Sequence, residues 1–482
     1  MKSNSPSNNF YPDLVRALQS HLNKKLLEAI RLGYSMAVNT LIMFKANVNV
    51  KTKTKGLTPL MVAAKAGNLP ALCLLLDAHA DVNMKNAKKT TPLMLASRKG
   101  HEKVVAELIF RHPECINETD HQGKTALMFA AKFGYLNVVN RLLSDCIPPH
   151  YRAKVCQTDD RGKTALMFSA QHGHIEVVKK IASMDPEGIN RTDKYARTAL
   201  MLAAQFAHTA VVSELAQRNP KGVDDQDKNG MTALMLATQQ KHKGVINTLL
   251  HFPANTNICS YGGYTALRFA AIVGSIKIFS ALLPFCSFDS RVLIDAVKQD
   301  RTKIAHFMLT QKLVDINTIN EYGMTALMIA VQNKRTSTVK MLISDPHNKK
   351  LIINQTNQDG INALMFAVQI GDPCIVKLLL DAQFHPAIDT NIPTPKMGIT
   401  PLMIAAELNE VEIAQALIKA GAKVNTQNKS GFTALMLAAK NGHGEMVTLL
   451  LKERSTLNIF STGGRSALAL AEQYHRVEVV NI

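Results

Sequence analysis

The sequence predicts an all-α solenoid of about fourteen stacked helix-turn-helix units joined by finger loops. Three observations carry that prediction. The phrase Thr-Ala-Leu-Met recurs at Thr125, Thr164, Thr198, Thr232, Thr325 and Thr433. Pro takes the second place in the copies starting at Thr58, Thr91 and Thr400, and looser copies start at Lys24, Thr265, Arg291, Asn362 and Ser466. Most gaps between these starts are 33 or 34 residues. Each copy also holds two short apolar stripes at helical spacing, and neither stripe is long enough to bury itself without a neighbour.

The elements of one copy follow in order from Thr91 to Lys124. The Thr91 hydroxyl is suited to accept from a free amide of a first helical turn, and Pro92 sits where no amide hydrogen is needed. Leu93 and Ala96 supply the apolar face of that helix. Gly100 ends it in a left-handed turn without a Cβ penalty. His101 opens the next segment, where Val104, Val105, Leu108 and Ile109 form a second stripe. The polar run Asn117 to Lys124 contains Gly123, where an extended finger turns back.

The order Thr-Pro-Leu-x-x-Ala, Gly-His, Val-Val-x-x-Leu resembles the ankyrin repeat. The resemblance runs from Lys24 to Ile482. One departure is systematic: where the family usually places His after Thr-Pro-Leu, this chain has Met61, Met94, Met128, Met167, Met201, Met235, Met328, Met365, Met403 and Met436. The family's polar link there is expected to give way to flexible apolar packing. Met-variant arrays of this kind are similar to the ankyrin-only proteins expanded in protozoan parasites, such as the group called protein 21.1.

Composition narrows the function classes. Lys plus Arg is 56 and Asp plus Glu is 37 in 482 residues, a balance of +19 that favours an anionic partner. The seven cysteines, Cys73, Cys115, Cys146, Cys156, Cys259, Cys286 and Cys374, are odd in number and form no Cys-x-x-Cys pair. That usage points to a reducing, cytoplasmic location. Attachment to an acidic polymer such as a cytoskeletal filament would suit the net charge and rests in part on the resemblance to the parasite proteins. The polar N-terminus carries no signal segment, and no apolar run approaches the ~20 residues of a membrane helix. The chain has no phosphate loop, zinc helix, nucleophile elbow or kinase signature, so no catalytic, cofactor or metal site is expected and the protein is read as no enzyme. Cys146, His150 and Cys156 share one long connection, but their spacing fits no common zinc module.

Breaks in the period suggest the domain organisation. Residues 1–23 form an N-terminal extension, with 1–9 expected to be disordered. The first unit, from Lys24, lacks the Thr-Pro opening and reads as a cap. The gap of 26 between Thr265 and Arg291 removes one finger around Phe285 to Ser290. It divides the array into 24–289 and 290–482. Long connections follow Thr125, Thr325 and Asn362, the first holding Ile147 to Tyr151 and the last Pro386, Pro393 and Pro395.

The ankyrin resemblance implies a concave groove lined by finger tips and the exposed side of each first helix. In this chain those are the few residues before each Thr and the seventh and eighth after it. The N-terminal part of that groove is basic: Lys55, Lys65, Lys88, Arg98, Lys99, Lys124, Lys132, Arg161, Lys163 and Arg197, with Phe133, Tyr195 and Phe206 between them. Asp160 is the one acid at the equivalent places there. Further on the groove turns apolar or aromatic, with Tyr261, Tyr264, Ile272, Tyr322, Met324, Ile361, Met397, Ile399 and Phe432. The expected partners are other proteins with acidic or acidic-apolar segments, charge speeding encounter and aromatic anchors slowing release. Electrostatic binding of nucleic acid or an anionic membrane surface is the alternative, against which stands the absence of any nucleic-acid module.

Overall fold

Thr begins the inner helix of most units, as the sequence requires. In the computed structural model, which describes residues 10–289, 291–344, 351–381 and 387–482, the Thr125 side chain accepts from the Met128 amide at 3.2 Å. The same bond recurs from Met61 to Thr58, Met94 to Thr91, Met328 to Thr325 and Met436 to Thr433. Asn362 performs it for Met365 and Ser466 for Ala469. The ten methionines that follow Leu are buried, none more than 2% exposed. They pack between neighbouring inner helices, so flexible thioethers take the place where the family usually has His.

The described residues divide between Thr265 and Ala266 into two compact bodies. The first opens with the long helix Phe10–Leu32, which runs unbroken across the 23/24 boundary, and its partner Ser35–Met43. Inner helices Pro59–Ala66, Pro92–Lys99, Ala126–Phe133, Ala165–Gln171, Ala199–Gln205 and Ala233–Gln239 follow. Each is paired with an outer helix: Leu69–Asp77, Glu102–Arg111, Leu136–Leu142, Ile175–Met184, Thr209–Arg218 and Lys243–Leu250. Inner helices stack on inner helices and outer on outer. Residues 1–9, expected to be disordered, lie outside the described residues.

The second body repeats the plan. Its inner helices are Ala266–Val273, Arg291–Lys298, Ala326–Gln332, Ala363–Gln369, Pro401–Leu408, Ala434–Asn441 and Ala467–Gln473. Their outer partners are Ile276–Leu282, Thr302–Thr310, Thr336–Ser344, Pro373–Asp381, Val411–Lys419, Gly444–Lys452 and Val477–Val480. In the short unit a single 3-10 turn, Leu283–Phe285, leads to the next inner helix, and no finger intervenes among the described residues. Residue 290, at the expected boundary, and Pro386 fall outside the description.

Two repeated devices lock unit to unit. In many units the residue just before the outer helix, after a turn residue of positive φ, sends its side chain back to the preceding inner helix. His101, His174, His208, His242 and His443 bond through Nε2 to the carbonyls of Lys65, Lys132, Gln171, Gln205 and Glu407 at 3.0–3.1 Å. Arg301 and Arg476 donate to Ile272 and Lys440 in the same way. The polar hydrogen bond between neighbouring units is therefore present, carried by another position. The second device is the finger. Asp120 Oδ1 accepts from the Gln122 and Lys124 amides, curling the tip around Gly123 (φ +74), and the next finger's Asp160 amide donates to the Gln122 carbonyl.

Candidate functional site

The fingers and the last turns of the inner helices enclose shared recesses in the first body. Lys55 from a finger and Lys65 from the following inner helix line one of about 400 Å³, with Arg31 from the long first helix on its wall. Lys88, Arg98 and Lys99 are exposed along the next unit. The Arg98 guanidinium lies 6.0 Å from the centre of the Phe133 ring and the Lys132 ammonium 5.7 Å from it, both within cation–π range.

A second recess, of about 370 Å³, is lined by Gln122, Lys124, Lys132, Asp159, Asp160, Arg161, Lys163, Phe168, Gln171 and His172. These residues come from two fingers and two inner helices. Burial lowers the basicity of Lys132, and the charges of Lys124 and Arg98 lower it further. Burial likewise lowers that of Lys163, with Arg197 adding to it. Burial also lowers His172 below the usual imidazole range.

Finger geometry sorts the remaining expected residues. The third residue before Thr stands in the open, as at Lys55, Lys88, Arg161, Tyr195, Tyr322 and Met397. The residue immediately before Thr packs against the stack. Met324 is 6% exposed, with its sulfur 3.6 Å from Asn357 Nδ2, which corrects the expectation that it faces the groove. Lys163 is 8% exposed, so its ammonium reaches the recess only along a buried stem. Lys124, Arg197, Tyr264, Ile361, Ile399 and Phe432 share that position and are half-buried. Arg197 is also ion-paired with Asp193 at 2.8 Å and lies over the Tyr195 ring. Among the seventh and eighth positions, Phe133 and Phe206 are exposed and Ile272 half-buried. Tyr261 is 77% exposed and Tyr322 63%. The expected apolar series is therefore a set of separate exposed side chains alternating with packed ones.

Two features lie beyond what the finger positions signal. Phe168, buried on the inner helix, forms the floor of the second recess. Arg268 and Asp295 form a buried pair in the second body, with Nε to Oδ2 at 2.5 Å. Its signal was legible as the one Thr-Ala-Leu-Arg among the Thr-Ala-Leu-Met copies. In the long connection, Cys146 and Cys156 are exposed and His150 lies against the Tyr151 ring. No cluster of three or more metal-ligating side chains forms among the described residues, and no described helix is long and apolar enough to cross a membrane.

A family model described as ankyrin repeats (3 copies) matches residues 26–120, 60–152, 111–193, 184–260, 200–292, 267–352, 347–428 and 420–482. These spans overlap to cover nearly the whole chain. A curated relative from Caenorhabditis elegans, the ankyrin repeat and KH domain-containing protein mask-1, is 30% identical over 134 residues. That stretch is 27% of this chain and 5% of the relative's length.

Proposed function

Because the chain belongs to the ankyrin-repeat family, whose repeats serve generally as protein-protein interaction modules, we propose that it is a non-enzymatic scaffold or adaptor. It holds acidic or acidic-apolar segments of partner proteins along the fingers and inner helices. The observation that carries this reading is the convergence of residues one unit apart in sequence on shared basic recesses, as with Lys55, Lys65 and Arg31. Exposed Tyr261 in the first body, and Tyr322 and Met397 in the second, supply rigid or adaptable apolar anchors. The balance of +19 draws acidic partners in over long range. A cytoplasmic protein held on an acidic polymer, such as a cytoskeletal filament, is one form of this role.

The same charge favours a second reading, an electrostatic binder of nucleic acid or an anionic membrane. A salt series separates the two. Binding carried by polyphosphate contacts collapses steeply as salt rises. Partner proteins captured from cell extract are expected to persist, while the triple variant Lys55→Glu, Lys65→Glu, Lys88→Glu associates with them about tenfold more slowly at low salt. Ala at Tyr322 and Met397 is expected to speed dissociation instead. Unchanged rates in both variants, or loss of every partner at high salt, would sink the scaffold reading.

A further inference from the structure

The recess around Phe168 holds more positive charge than its own acids answer. The Lys124 and Lys163 ammoniums each lie 5.8 Å from the centre of the Phe168 ring, and Lys132 lines the same space. Each of the first two spends one N–H on a neutral partner, Lys124 on Gln122 Oε1 at 2.8 Å and Lys163 on Gln171 Oε1 at 2.7 Å. An ammonium has three donors, so the others remain for a ligand. Of the two acids on the wall, Asp159 uses Oδ1 to accept from the Arg161 and Lys163 amides at 2.9 and 2.8 Å. Asp160 stands exposed at the rim beside Arg161. Among the described residues, none of Lys124, Lys132 and Lys163 is ion-paired with a carboxylate within 4.0 Å.

We propose that this recess seats a phosphoserine or phosphothreonine side chain in an acidic segment of a partner protein. The inference rests on the scaffold reading and specifies one of its contacts. A carboxylate brings one negative charge. A phosphomonoester brings nearly two, with three strong acceptor oxygens. Three ammoniums converging on a single recess, two of them standing over one aromatic floor, match the dianion in charge and in donor number. Burial is the main cause of the lowered basicity of Lys132 and Lys163, and neighbouring cations add to it, Lys124 and Arg98 for the first and Arg197 for the second; an anion seated in the recess would oppose both effects.

The test uses the full chain and three fluorescent acidic peptides that differ at one residue: Ser, Glu or phosphoserine. The phosphoserine peptide is expected to bind about tenfold or more tightly than the Glu peptide, the preference shrinking as pH falls through about 6, where the phosphate loses its second charge. The preference is expected to vanish in the Lys124→Gln, Lys163→Gln variant and to survive in Lys55→Gln, Lys65→Gln. Lys132→Gln, on a half-exposed stem, reports in the same direction should the buried Lys163 change impair folding. Equal binding of the Glu and phosphoserine peptides, with extract partners still captured, would overturn the phosphate inference and leave the scaffold reading standing. Tighter binding of single-stranded DNA through the same lysines would overturn it in favour of nucleic acid.

Discussion

Arg268 occupies the place that Met holds in ten other units, and Asp295 faces it from the next inner helix, where the matching residues are apolar. Burial pushes the Asp295 carboxyl above its usual range, while the Arg268 hydrogen bonds and charge pull it back. The attraction in such a pair roughly offsets desolvation, but an abandoned partner does not recover it. Arg268→Met is therefore expected to destabilise the second body by about 3–5 kcal/mol in urea unfolding. Adding Asp295→Leu is expected to restore or exceed the parent stability. Equal losses in the single and double variants would show that the pair is not the source. At this scale the sequence was legible wherever a side chain acts on its own helix. The Thr caps and the buried Met row follow from local pattern alone. Met324 was misread because a finger alternates, one side chain open and the next packed on the neighbouring unit, and a single copy does not show which is which.

At the scale of elements, the turn between inner and outer helix does two tasks at once. Gly67, Gly100, Gly134 and Gly442 adopt φ of +73, +76, +75 and +83, and side chains from the next unit lie directly over them. A Cβ at Gly134 would stand 2.4 Å from His174 Nδ1. Ala207 holds the same left-handed geometry at φ +66 without the freedom of Gly. Ala207→Gly is expected to stabilise the first body by roughly 0.5–1 kcal/mol, read as a rise in urea midpoint with unchanged slope. A fall would mean that the methyl group is packed usefully. The helix ends were legible from Gly and Thr. The reach of His101 and its counterparts was not, because a residue at the head of an outer helix reads as a local cap, and only the stack shows that these imidazoles make no cap bond of their own.

Over the whole molecule, stability in a repeat array is a sum of unit and neighbour contributions, so damage stays near its source. Cys115 offers a reporter in the first body. It is buried, and its thiol is pushed up to about 12 by burial, with Glu114 adding to the shift. At pH 8 it is expected to resist alkylation while exposed Cys146, Cys156, Cys259 and Cys374 react. In the Arg268→Met chain, amide exchange in the helices Ala326–Gln332 and Ala363–Gln369 is expected to rise at lower urea, with the Cys115 alkylation midpoint unmoved. Coincident shifts would instead make the chain one cooperative block. The array itself was legible from its period, whereas the meeting of distant lysines over Phe168 depends on how successive units superpose. The His and Arg links carry one more consequence. They grip the main-chain carbonyl of the seventh residue after Thr, whatever its side chain: Lys at 65 and 132, Gln at 171 and 205, Ile at 272, Glu at 407. The side chain at that place can thus change from unit to unit while the hydrogen bond that ties each unit to the next keeps the same acceptor atom.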